Sequence, residues 1–130
     1  MRVCIVEDDE LLRSLYSELF EQFQIETLMY KNGEEALQHL SNSSNLPDII
    51  VVDYLMPIMD GFLFRKYQLK NEKLKHIPCI LVSAYTNTNK NENLMPPFDR
   101  YLTKPVAFRV LHETIKEVLF YDSRQMGNLF

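Results

Sequence analysis

The sequence contains no basic run, no long apolar stretch and no paired-cysteine motif. Its 14 basic and 18 acidic residues give a net charge of −4, without the concentrated positive charge that nucleic-acid binding requires. We therefore predict no direct nucleic-acid contact. No apolar stretch approaches the about 20 residues that cross a bilayer, and a strand-like run follows Met1 almost at once. We expect no membrane insertion and a cytoplasmic location.

Cysteine is also scarce, and its placement excludes two further classes. Cys4 and Cys79 each lie inside an apolar run, and neither has a CxxC partner or a neighbouring histidine. This pattern predicts small core residues and not a disulfide or a metal site. With 130 residues, 46% of them hydrophobic, the chain has enough apolar material for one core. We expect one domain over residues 1–122 and a short tail over 123–130.

Short apolar runs alternate with helical patterns along the chain. Strand-like runs occupy residues 3–6, 25–30, 48–52, 79–82 and 101–102, and runs without polar alternation are typical of strands that are covered on both faces. Apolar stripes at helical spacing lie at Leu12, Leu15, Tyr16, Leu19, Phe20 and Phe23, and at Phe108, Leu111, Ile115, Val118 and Leu119. This alternation predicts an α/β fold with one parallel sheet.

Acidic residues follow two of the predicted strands. Glu7, Asp8 and Asp9 come after the first strand, and Asp53 ends the third. The carboxyl ends of strands line the binding crevice of an open α/β sheet. If these two strands are neighbours, about 4.8 Å apart, then Asp8, Asp9 and Asp53 converge and repel one another unless a cation neutralises them. Oxygen ligands of this kind suit Mg²⁺, so we predict a magnesium site.

Two more polar residues are expected at the same edge. Ser83 ends the fourth strand and Lys104 follows the fifth. With magnesium neutralising charge, Asp53 is able to act as a nucleophile toward phosphorus. The hydroxyl of Ser83 and the ammonium of Lys104 are able to hold phosphoryl oxygens by hydrogen bonds. These residues together predict a phosphoryl-transfer pocket.

Each of these residues also has a simpler interpretation. Asp8 or Asp9 is suited to cap the following helix, and Asp53 is suited to a solvated strand end. Ser83 alone is typical of a hydrogen-bonded strand end, and Lys104 alone is typical of a surface amine. Their joint placement at one edge of the sheet favours a shared site.

Four segments resemble the CheY-like receiver domains of bacterial response regulators: VCIVEDDELLR, PDIIVVDYLMPIMDG, IPCILVSAY and YLTKP. The resemblance runs from Met1 to about residue 121. It implies a flavodoxin-like sheet of five parallel strands in the order 2-1-3-4-5, with helices on both faces. The helix between the fourth and fifth strands is expected to be short or irregular, because TNTNKNENLMPPF offers few apolar residues and two prolines. We expect the 86–97 segment to be mobile until the protein is activated or binds a partner.

The resemblance also implies roles for individual residues. These are Asp53 as the phosphoacceptor, Asp8 and Asp9 as the acidic metal-binding pair, the backbone carbonyl of Leu55 as a further metal ligand, Ser83 and Tyr101 as the switch residues, and Lys104 as the active-site lysine. It further implies a cis Lys104–Pro105 bond. Gly61, after Met-Asp, is expected at a turn with positive φ.

The implied function is that of a stand-alone response regulator. A sensor histidine kinase or a histidine phosphotransfer protein is expected to dock near the first helix and to supply the phosphoryl group. A downstream protein is expected on the face from the fourth strand to the fifth helix of the family. Such a protein is not an enzyme beyond catalysing its own phosphotransfer and dephosphorylation. Two alternatives remain: a receiver-fold binding module that signals without phosphate, and a phosphorelay intermediate.

A nucleotide-binding enzyme on the same architecture is a third function class. It requires a glycine-rich loop after the first strand, where backbone N–H groups hold phosphate. The sequence there is EDDEL, which is acidic and has no glycine. The sequence therefore argues against this class.

Overall fold

The structure, a computed structural model, describes residues 1–84 and 95–121. Its centre is one parallel sheet with strand order β2-β1-β3-β4-β5. The strands are β1 (Arg2–Val6), β2 (Glu26–Tyr30), β3 (Ile49–Asp53), β4 (Cys79–Ser83) and β5 (Arg100–Thr103). Each coincides with a predicted apolar run to within two residues at either end, and the predicted α/β fold and strand order are confirmed.

Helices cover both faces of this sheet. They are α1 (Glu10–Glu21), α2 (Gly33–Ser41), α3 (Gly61–Lys70) and α4 (Phe108–Lys116), and α4 continues into one π-helical turn (Glu117–Tyr121). No helix in the described ranges is long and apolar enough to span a membrane. The helix expected between β4 and β5, most of the 86–97 segment and the 123–130 tail lie outside the described residues.

Consecutive residues of one strand belong to opposite core layers. Ile5 and Val51 pack into a cluster that includes Phe20 of α1 and Leu111 of α4. The neighbouring strand residues Cys4, Ile50 and Val52 pack into the other cluster, with Leu40 of α2 and Phe64 of α3. The central strands are thus buried on both faces, which is why their sequence is continuously apolar. Cys4 and Cys79 are buried and unpaired, as predicted.

Helix α3 has no continuous apolar stripe, because two of its buried residues are polar. Arg65 is 6% exposed and Gln68 is fully buried. The Arg65 guanidinium donates to the Gln68 side-chain carbonyl at 2.8 Å and, through Nε, to the Pro97 carbonyl at 2.8 Å. The Gln68 amide donates to the Leu74 and Ile77 carbonyls at 3.0 and 2.9 Å. These bonds satisfy the buried polar atoms and tie α3 to the segment before β5.

Candidate functional site

The strand register brings three strand ends to one edge of the sheet. Val6 of β1 pairs with Val52 of β3, and Asp53 of β3 pairs with Val82 of β4. Glu7 follows β1 directly, so it lies beside Asp53, and Ser83 is one residue beyond Val82. The carboxyl-end crevice predicted from the sequence therefore exists, and it contains an acidic group.

The carboxylate of Asp53 and that of Glu7 share one ammonium group. The Nζ atom of Lys104 lies 3.1 Å from Oδ1 of Asp53 and 3.1 Å from Oε1 of Glu7. Asp53 is 7% exposed and Glu7 is 4% exposed, so both carboxylates are largely withdrawn from water. A buried ion pair repays the free-energy cost of leaving water only when its geometry is good and its remaining polar atoms are hydrogen-bonded. Lys104 connects the end of β5 to the ends of β1 and β3.

Three carboxylates at this edge are close enough to share one cation. Glu7, Asp8 and Asp53 each offer an oxygen, and these oxygens all lie within 4.8 Å of one another. Asp8 is exposed, whereas the other two are buried, so the group opens to solvent on one side. Hard oxygen donors with an open, hydrated side fit Mg²⁺, which keeps several waters and takes one or two carboxylates. The donor set therefore fits a magnesium ion.

Glu7 carries a proton more readily than an ordinary glutamate. Burial raises the pKa of Glu7, and a hydrogen bond between its carboxyl group and that of Asp8 raises it further. The charge of Asp53 acts in the same direction, while the backbone N–H of Asp9, at 3.2 Å from Oε2, and Lys104 oppose it. Burial and like charges at short range both favour the protonated form, so a cation bound among these carboxylates would favour their ionised forms.

The pKa of Asp53 is also raised, and that of Lys104 is raised with it. Burial raises the pKa of Asp53 and the charge of Asp8 adds to this, and the hydrogen bond and charge of Lys104 offset only part of the increase. Burial alone lowers the pKa of Lys104, but its bonds to Asp53 and Glu7 outweigh that effect. Lys104 is therefore a fixed positive charge at neutral pH.

The structure does not bring Asp9 into this group. Asp9 is the N-cap residue of α1, and its Oδ1 accepts hydrogen bonds from the backbone N–H groups of Leu11 at 2.9 Å and Leu12 at 3.3 Å. An N-cap carboxylate satisfies N–H groups that have no partner within the helix. The helix-cap interpretation is thus correct for Asp9, and Glu7 occupies the place that the sequence analysis expected Asp9 to take.

The loop that follows Asp53 turns back closely onto β3. The N–H of Gly61 donates to the Tyr54 carbonyl at 2.8 Å, and a Cβ added at Gly61 would lie 2.6 Å from the carbonyl oxygen of Asp53. Only glycine fits this approach. The predicted positive φ at Gly61 is wrong, because none of the glycines in the described ranges has one. The requirement at Gly61 is for space.

The left-handed residue in this loop is Ile58, with φ 74°. It is the centre of a three-residue turn in which the Met59 N–H donates to the Pro57 carbonyl at 2.8 Å. Leu55 lies earlier in the same loop, with its side chain 54% exposed. The role of its carbonyl as a metal ligand stays a prediction.

The residues expected to respond to phosphorylation lie on β4 and β5. Ser83 is 5% exposed, and its carbonyl accepts from the Lys104 N–H at 2.8 Å. Tyr101 is 49% exposed, its ring stands edge-on to Phe98 at 5.7 Å, and its hydroxyl accepts from the Phe98 N–H at 3.3 Å. The Lys104–Pro105 bond is cis, as expected. The switch roles of Ser83 and Tyr101 stay predictions.

Known proteins are similar to this chain along most of its length. Residues 3–116 match the response regulator receiver domain family. The polar-differentiation response regulator DivK of Brucella anthropi is 34% identical over 118 residues, which cover 90% of this chain and 94% of DivK. The agreement extends through β1 to α4.

Two solved structures show the same architecture. The receiver domain of a signal transduction histidine kinase from Syntrophus aciditrophicus is 30% identical, with a TM-score of 0.81 over 91% of this chain and 89% of that one. The response regulator TrrA of Thermotoga maritima, solved in complex with Mg²⁺-BeF, is 28% identical, with a TM-score of 0.76 over 91% and 98%. The strand order, the acidic edge and the family match agree, and the chain belongs to the response regulator receiver domain family of two-component signalling proteins.

Proposed function

We propose that this chain accepts a phosphoryl group on Asp53 from a phosphohistidine, in a reaction that depends on Mg²⁺, and thereby switches its binding to a partner. The observation that carries the proposal is the contact of Asp53 with Lys104 at 3.1 Å inside a group of three carboxylates. A buried aspartate with one ammonium and two further acids has the elements of a phosphoryl acceptor.

In the transfer step a carboxylate oxygen of Asp53 attacks phosphorus. A new O–P bond forms as the P–N bond to histidine breaks, and the imidazole nitrogen keeps the bonding electron pair. Lys104 holds Oδ1 of Asp53 at 3.1 Å, which orients the carboxylate and places a positive charge where phosphoryl oxygens gather negative charge. Catalysis of this kind is mainly positioning and charge stabilisation.

Glu7, Asp8 and Asp53 are the residues that would hold the magnesium ion. Bound there, the ion supplies charge neutralisation for the carboxylates and the incoming phosphoryl group. The raised pKa values of Glu7 and Asp53 support this assignment, because burial and neighbouring carboxylates disfavour their ionised forms and a cation would favour them. The TrrA relative was solved with Mg²⁺-BeF. We propose Glu7 in place of Asp9, with the Leu55 carbonyl as a further ligand.

Phosphorylation adds negative charge next to Ser83 and Lys104. We propose that the Ser83 hydroxyl and the Lys104 ammonium turn toward the phosphoryl oxygens by charge-assisted hydrogen bonds. Tyr101 would then leave its half-exposed position on Phe98, and the face formed by β4, β5 and α4 would change shape for a downstream protein. The kinase or phosphotransfer partner docks near α1, where Leu11 is 82% exposed.

Two alternatives use the same fold. A binding module that works without phosphate has no need of three mutually repelling acids around a lysine, which argues against it. A phosphorelay intermediate needs the same pocket, and the Syntrophus relative is the receiver domain of a histidine kinase. Whether it is a stand-alone regulator or a relay intermediate, the chain catalyses only its own phosphotransfer and dephosphorylation.

The test incubates the wild type and Asp53→Asn with a small phosphodonor such as acetyl phosphate, with and without Mg²⁺. Intact mass spectrometry then reads the gain of one phosphoryl group. We expect the gain in the wild type with Mg²⁺ only. Asp48→Asn serves as the matched control, because Asp48 precedes β3 at its opposite end and bonds the Arg2 N–H. An unmodified wild type would favour the phosphate-independent module.

A further inference from the structure

A small cavity borders the carboxylate group. Its volume is about 10 Å³, close to the minimum that holds one water molecule. Glu7 and Asp53 form part of its wall, and Tyr16 from α1 forms another part. The remaining wall consists of apolar side chains: Ile5, Val6, Val51 and Val82. Tyr16 is therefore the one hydrogen-bond donor among the side chains that line this cavity.

Tyr16 is fixed by its packing. The residue is 7% exposed and belongs to the core layer of α1 and α4, and its ring centroid lies 6.4 Å from that of Phe20. Burial raises the pKa of Tyr16, and the charge of Glu7 raises it further, with smaller effects from Lys104 and Asp53. The phenol hydroxyl is thus close enough to the site to feel all three charged groups, and it stays protonated as a donor.

We propose that Tyr16 is a positioning residue for the phosphoryl-transfer site: its hydroxyl donates a hydrogen bond to Glu7 through one water in the cavity that both residues line, and so prepares this carboxylate for magnesium. The inference rests on the proposed function of the same site. Lys104 and the Asp9 N–H each donate to one oxygen of the Glu7 carboxylate, and each oxygen is able to accept a second hydrogen bond. Residues that hydrogen-bond to a metal-binding side chain typically change the metal affinity 10-fold to 100-fold.

Tyr16→Phe tests the inference, because it removes the hydroxyl and keeps the ring against Phe20. We expect its Mg²⁺ affinity, measured by calorimetry or NMR titration of the full chain, to fall about 10-fold. We expect phosphoryl uptake from acetyl phosphate to fall at limiting Mg²⁺ and to recover at saturating Mg²⁺. Tyr67→Phe is the matched control, because Tyr67 lies half-exposed on α3. It should bind Mg²⁺ as the wild type does.

A second measurement needs no variant. In the wild type, the Tyr16 hydroxyl proton should exchange with water more slowly than that of Tyr67 in an NMR exchange experiment. Equal exchange rates, or unchanged Mg²⁺ affinity in Tyr16→Phe while the wild type binds Mg²⁺ and takes up phosphate, would overturn the role of Tyr16 and leave the proposed function intact. A wild type that neither binds Mg²⁺ nor takes up phosphate would overturn both.

Discussion

Ile58 is held in a backbone conformation that its side chain disfavours. Its φ of 74° lies in the left-handed region, where a residue with a Cβ atom loses about 1–2 kcal/mol relative to the right-handed form. The side chain is 72% exposed, so packing recovers little of this cost. The turn is closed by the hydrogen bond from the Met59 N–H to the Pro57 carbonyl at 2.8 Å.

Replacing Ile58 by glycine should therefore stabilise the protein. We expect Ile58→Gly to raise the free energy of unfolding by about 0.5–1 kcal/mol, since relief of the left-handed strain exceeds the entropy that glycine loses on folding. Urea denaturation measures the change. Ile58→Val keeps the branched Cβ and is the control, and equal stabilities of the two variants would contradict the argument.

Single residues of the site were predictable to different degrees. Asp53 and Lys104 stand alone at the ends of their strands, so their positions in the sequence sufficed. Glu7 was missed because three acids follow β1 in a row, and residue type does not distinguish them. The signal was the helix start: the acid nearest α1 is needed as its cap, which leaves the two preceding acids for the site.

At the scale of elements, α1 begins where Asp9 caps it, and this cap also sets the geometry of the acidic loop. The Asp9 N–H donates to Glu7 Oε2 at 3.2 Å, and Nη1 of Arg13 on α1 donates to the Glu7 carbonyl at 2.7 Å. The start of the helix thus holds both the side-chain carboxylate and the backbone carbonyl of Glu7. Sequence periodicity predicted α1 and α4 well, but not α3, because Arg65 and Gln68 interrupt its apolar face.

Substitutions of Asp9 should change the free energy of unfolding, whereas substitution of Glu7 should change the Mg²⁺ affinity. Asp9→Ala removes the cap and should lower the free energy of unfolding by about 1 kcal/mol, while Asp9→Asn, which keeps a capping oxygen, should lower it much less. Glu7→Gln should instead weaken Mg²⁺ binding, with little loss of stability in the absence of Mg²⁺. Denaturation and Mg²⁺ titration of the three variants measure both effects. A larger loss of Mg²⁺ affinity in Asp9→Asn than in Glu7→Gln would return Asp9 to the metal site.

At the scale of the whole molecule, the carboxyl groups of Asp53 and Glu7 make the stability of the protein depend on pH. The pKa of Asp53 is raised above its ordinary value of 3.8, and that of Glu7 above 4.5. The folded state therefore binds more protons than the unfolded state between these ordinary values and the raised ones. The stability that these two carboxyl groups contribute is fully present below their ordinary pKa values, and it is lost as the pH rises through their raised pKa values in the folded state.

The comparison of wild type with Asp53→Asn isolates this effect. Without Mg²⁺, the two should be about equally stable below pH 3.8, where the wild-type carboxyl is neutral, and the variant should become the more stable one as the pH rises. Mg²⁺ at about 100 times its dissociation constant should add about 2.7 kcal/mol to the wild type and less to the variant. Urea denaturation across pH, with and without Mg²⁺, measures both. A variant that is less stable than the wild type at neutral pH without Mg²⁺ would contradict the prediction.

The strand order β2-β1-β3-β4-β5 has a consequence for folding during synthesis on the ribosome. The first two strands to follow β1 both pair with it, β2 on one side and β3 on the other. Strand β4 then adds to the free edge of β3, and β5 adds to the free edge of β4. No strand has to be inserted between two earlier ones, so each new strand is able to add at an edge of the sheet as the chain emerges.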